Sequence, residues 1–156
     1  MDINRIVLND DNPQHRELAI YRTGTINQVR LVDESYIVYD TLEVSAHNHS
    51  ALFHFGLVEA LNRLIFISES GHGLDSWDEA FLHHSQIESM TEIIDECGRT
   101  IEPGKTETIM LGWHKEPLAV SYWREIKSDE ALSFLDDLRR FAQQALQKQY
   151  DLEFIL

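Results

Sequence analysis

Residues 102–126, EPGKTETIMLGWHKEPLAVSYWREI, decide the fold class. Two runs rich in Thr, Ile, Val, Tyr and Trp flank His114-Lys115-Glu116-Pro117, and β-branched and aromatic residues around a short polar break predict a hairpin. Ser128 then caps a predicted helix, Asp129–Gln149, with acids in its first turn and Lys148 near its end. Leu135, Leu138, Ala142 and Ala145 share its apolar side. Strands followed by a helix, in blocks, do not fit strict βαβ alternation.

Moving towards the N-terminus, ELAIYRT (17–23), INQVRLV (26–32) and YIVYDTLEVSA (36–46) read as three strands. The breaks between them, Gly24-Thr25 and Asp33-Glu34-Ser35, are of hairpin length, which predicts an antiparallel meander. Ser50 to about Asn62 reads as a mostly buried helix that passes into a short strand at Leu64–Ile67, and the glycines of SESGHGLDS then break the chain. Two capping signatures follow, Ser76-x-x-Glu79 and Ser85-x-x-Glu88. They predict either one helix over 76–97 or two short ones meeting near Ser85. The closing DLEFIL (151–156) suits a short last strand. The expectation is a single α+β domain over 1–156, a mostly antiparallel sheet packed against several helices.

The chain has 156 residues, of which 43% are hydrophobic and 26% charged, so it can bury a core and is not disordered by composition. Its longest apolar stretch, Ala51–Ile67, is interrupted by His54, Glu59, Asn62 and Arg63, which argues against a membrane span. MDINRIVLNDD lacks the basic-then-apolar pattern of a secretory leader, and the single Cys97 cannot form an intramolecular disulfide, so a cytoplasmic address is expected. Thirteen Lys and Arg against 27 Asp and Glu give a net charge of −14. That charge opposes nucleic-acid binding, which needs a cationic footprint.

Acidity is also concentrated. From Leu64 to Gly98 there are eight acids and no Lys or Arg. On a helix over 76–97, Trp77, Ala80, His84, Ile87, Thr91 and Ile94 fall on one side, while Asp78, Ser85, Ser89, Glu92 and Glu96 fall opposite. Such a stripe attracts a basic protein, and Trp77 beside Asp78 and Glu79 is a composition suited to Arg and Lys. The expected partner surface is therefore Trp77, Asp78, Glu79, Glu88, Glu92 and Glu96. The expected function is inhibition of a basic partner, the job of an immunity protein or antitoxin, without catalytic residues or cofactor.

A second reading starts from EVSAHNHSALFHF (43–55). If the strand continues through it, Glu43, His47 and His49 share the face opposite Leu42, Val44 and Ala46. Two imidazoles at that spacing suit zinc, and an ion there would activate water in a metal-dependent hydrolase. The ligand count is short, and no Gly-rich phosphate loop, CxxC pair, HExxH helix or GxSxG elbow occurs. His83-His84 is expected on a helix, where neighbouring side chains point about 100° apart and do not readily share a ligand. Cys97, near a helix C-terminus, is a poor nucleophile candidate.

Overall fold

The computed structural model describes residues 4–8, 18–23, 38–68, 73–74 and 79–156. In chain order these form β1 (Asn4–Leu8), β2 (Leu18–Thr23), β3 (Val38–Val44), α1 (Ala46–His54), α2 (Leu57–Leu61), β4 (Phe66–Ser68) and β5 (Glu79–Leu82). A 3-10 turn at His84–Gln86 leads into α3 (Ile87–Thr100), followed by β6 (Thr106–His114), β7 (Val120–Lys127), α4 (Ser128–Gln147) and β8 (Asp151–Ile155). The class is α+β, as the block pattern predicts. No helix among the described residues is long and apolar enough to cross a membrane.

The larger sheet has five strands in the order β3-β2-β8-β5-β4, every neighbouring pair antiparallel. Its centre is β8, the DLEFI segment, in which Asp151, Leu152, Glu153 and Phe154 are all buried. Leu152 pairs with Leu82 and Phe154 with Ala80, so these four lie on one face, and they join Ile87, Met90 and Ile94 of α3 and Leu138, Phe141 and Ala142 of α4 in the main core. Phe66 adds an edge-on ring contact to Phe154 at 5.4 Å between centroids. The helices pack because their apolar residues recur at helical spacing: α3 buries Ile87, Met90, Ile93, Ile94 and Cys97, and α4 buries the four positions predicted for it together with Ala131, Phe134 and Phe141.

The predicted 102–126 hairpin is present as β6 and β7, but it builds a separate three-stranded sheet with β1. β1 runs parallel to β7, a pairing the sequence reading lacked. The inner side of this sheet meets α1 and α4 through Ile126, Ala51 and Ala131. Between Met110 and Gly112 the register shifts by one residue, and Leu111 is left unpaired as a bulge.

Four further corrections concern local structure. β2 and β3 pair directly with each other, and the run 26–32 lies outside the described residues. The helix after β3 starts at Ala46, four residues before the predicted Ser50, because the Ser45 hydroxyl accepts the Asn48 N–H at 3.1 Å and ends the strand. The predicted 76–97 helix is overturned at its N-terminal end: Glu79–Leu82 is a strand, and the helix begins only at Ile87. Three consecutive buried residues, Ala80, Phe81 and Leu82, suit a strand covered on both faces better than an amphipathic helix. Finally, Ser128 does not cap α4. Its hydroxyl accepts the Lys105 N–H and the Asp129 carboxylate accepts the Gly104 N–H, both at 2.9 Å, tying down the turn before β6.

Candidate functional site

Glu43, His47 and His49 do not share a face. Glu43 is exposed on β3, whereas His47 and His49 lie in the first turns of α1. His47 is 3% exposed and has both ring nitrogens occupied. Its Nε2 accepts the Lys127 N–H at 2.9 Å, which places the lone pair there and the proton on Nδ1, facing the Asn48 carbonyl oxygen at 3.0 Å. Both nitrogens are thus engaged, Nε2 at the joint with the start of α4 and Nδ1 within α1. This geometry gives a structural histidine, and the zinc set of Glu43, His47 and His49 is not assembled.

His49 is half-buried, with its ring 5.0 Å from that of Phe53. Burial lowers its pKa below the ordinary 6.5, and a hydrogen bond with the Leu156 backbone offsets part of that shift. A histidine depressed in the folded state contributes stability that is complete above its unfolded pKa and lost as the pH falls towards the folded value. Urea midpoints measured from about pH 7 down to pH 5 should therefore fall more steeply for the wild type than for His49→Gln. Parallel curves for the two proteins would remove His49 as the cause.

The predicted acidic surface is only partly assembled. Trp77 and Asp78 lie outside the described residues, and Glu79 is in β5, apart from the helix that carries the others. Glu88, Glu92 and Glu96 are exposed on α3 at four-residue intervals, which puts them on one stripe. Asp95 is held by Arg139 at 2.8 Å and Glu96 is 3.6 Å from Arg63, so cations the local sequence lacks are supplied from elsewhere in the fold. Cys97 is buried, its thiol 3.7 Å from the Phe55 carbonyl, and burial pushes its pKa up, away from nucleophilic use.

Two features escaped the sequence reading. The first is at His83, His84 and Asp151. Because β5 ends at Leu82 and a 3-10 turn follows, the two histidines are not splayed as on an α-helix; their rings stack at 4.0 Å between centroids. The Asp151 carboxylate, wholly buried at the first residue of β8, accepts the His84 backbone N–H at 2.7 Å and its Nδ1–H at 3.0 Å. This leaves the His84 Nε2 lone pair on a ring that is 26% exposed. Ser85 donates its backbone N–H to His83 Nδ1 at 3.2 Å, with its hydroxyl 2.9 Å from the same nitrogen. No local motif could announce this cluster, since 67 residues separate His84 from Asp151.

The second feature is the outer face of the three-stranded sheet. Register places Val7, Trp123 and Met110 in one row across it and Arg5, Ser121 and Trp113 in the next. Val7 is 56%, Met110 52% and Trp113 62% exposed, with the bulged Leu111 and the turn residue Leu118 exposed nearby in sequence. Trp123 is fixed: the Arg5 guanidinium lies 4.2 Å over its ring, and its indole N–H donates to the Ser121 hydroxyl at 2.7 Å. A cleft of about 150 Å³ also opens beside Phe55 and Ile101, but its charges are satisfied in pairs, Lys105 with Glu102 at 2.6 Å and His54 with Glu107 at 2.7 Å. Comparison of the chain with protein-family models, with curated proteins and with solved structures gives no match.

Proposed function

We propose that this chain is a protein-binding domain that captures a basic partner, in the manner of an immunity protein or antitoxin that neutralises a toxin. The observation that carries this reading is the exposed Val7, Met110 and Trp113 face, set beside a Trp123 held rigid by Arg5 and Ser121. Large apolar side chains grouped on one sheet face are costly in water and give a partner the anchors from which most binding energy comes. The net charge of −14 and the Glu88, Glu92 and Glu96 stripe supply the complementary field, which selects basic proteins and speeds encounter. The interface therefore shifts from the sequence-based expectation: the anchor moves to the sheet, and the acids of α3 act as steering.

The test is capture of a partner from an extract of the protein's own cells, followed by binding measurements with that partner purified. It should be basic. Trp113→Ala should weaken the complex by about 2 kcal/mol or more, roughly thirtyfold in Kd, mainly through faster dissociation. Glu88→Gln, Glu92→Gln and Glu96→Gln together should slow association and flatten its salt dependence. An acidic partner, or a complex indifferent to both sets of substitutions, would refute the proposal.

A further inference from the structure

We propose that His83, His84 and Asp151 bind one divalent cation of the zinc class, which clips the start of the central strand β8 to the end of β5. Each residue offers one ligand atom, and the three atoms lie within 4.8 Å of one another, the only such group among the described residues. A cation about 2.0–2.2 Å from nitrogen and oxygen ligands needs them no more than roughly 4.2 Å apart, so small rotations of the imidazoles close the site. Two imidazoles and one carboxylate select zinc, nickel or copper over calcium and magnesium, which prefer all-oxygen surroundings.

The polar partners are arranged for such a ligand set. The Asp151 carboxylate is wholly buried and lies 3.0 Å from His84 Nδ1, so a cation held between the two would sit against a buried anionic oxygen. His84 would bind through Nδ1, which already lies 3.0 Å from the Asp151 oxygen, with its proton carried on the more exposed Nε2. His83 can bind through Nε2 by carrying its proton on Nδ1, where the Ser85 hydroxyl at 2.9 Å accepts it. The weaker bond from the Ser85 N–H, at 3.2 Å, is then given up, so occupancy is linked to the first turn before α3. With three protein ligands a fourth position stays open, for water or for a donor from a bound partner.

The experiment uses untagged full-length chain stripped of metal, titrated with Zn²⁺ by calorimetry and with Co²⁺ by visible absorption. One equivalent should bind, Co²⁺ should give the intense bands of a four-coordinate site, and a hundredfold excess of free Zn²⁺ over Kd should raise Tm by roughly 5–10 °C. His83→Ala and His84→Ala should each lose saturable uptake and the thermal shift. His54→Ala, which alters the exposed pair with Glu107, should keep both. His83 is not part of the buried core, so its variant reports even if loss of the His84–Asp151 contact weakens the fold. Absence of one-equivalent binding in the wild type, or uptake that survives His83→Ala, overturns the proposal.

Discussion

A chain ended at Tyr150 should fail to fold. Removing residues 151–156 takes out β8, which hydrogen-bonds to β2 on one side and β5 on the other, and splits the five-stranded sheet into two separate strand pairs. It also removes Leu152, Phe154 and Leu156 from the main core. Single domains are stable by only about 5–15 kcal/mol, and three large apolar side chains at about 2–5 kcal/mol each account for most of that. The milder Phe154→Ala should leave a folded protein that has lost about 3–5 kcal/mol, seen as a Tm lower by roughly 10 °C or more. Circular dichroism melts decide both cases. A cooperative melt from the chain ended at Tyr150 would show that β8 is dispensable, contrary to its burial.

His47→Ala should cost about 2–4 kcal/mol in buffer containing a chelator. The substitution leaves the Lys127 N–H without the acceptor that now lies 2.9 Å away and opens a void between α1 and the start of α4. His47→Gln, whose side-chain carbonyl can accept the same N–H, should recover part of the loss. Urea denaturation in the presence and absence of Zn²⁺ separates the two roles this residue was open to. A histidine that holds the backbone costs the same with and without metal, whereas a zinc ligand costs stability only when zinc is present.

How far the sequence could be read follows from how local the determining forces are. β6, β7 and the helix α4 are set by short-range pattern, and their bounds agree with the structure to within a few residues. Val44, Ala46 and the alternating polar residues continue a strand period, which puts the expected start of α1 too late, whereas one hydroxyl, that of Ser45, turns the chain into a helix. Ala80, Phe81 and Leu82 are apolar at any period and so fit a helix as well as a strand; only β4 and β8 on either side make them β5. The His83–His84 stack is hidden for the same reason: adjacent side chains diverge on a strand and on an α-helix alike, and they meet here because extended His83 leads directly into the 3-10 turn that starts at His84. The parallel β1–β7 pair and the Asp151–His84 contact join distant segments, and no local spacing encodes either.

The place of β8 also bears on synthesis. The β2–β3 and β4–β5 pairs emerge from the ribosome long before the strand that joins them, so each waits with an edge that will later be an interior seam. Two nascent chains could zip those edges together. Through Leu82 the chain already carries 13 Asp and Glu against five Arg, so the acidity that would draw a basic partner to the finished protein also sets like charge against like when two half-made chains meet.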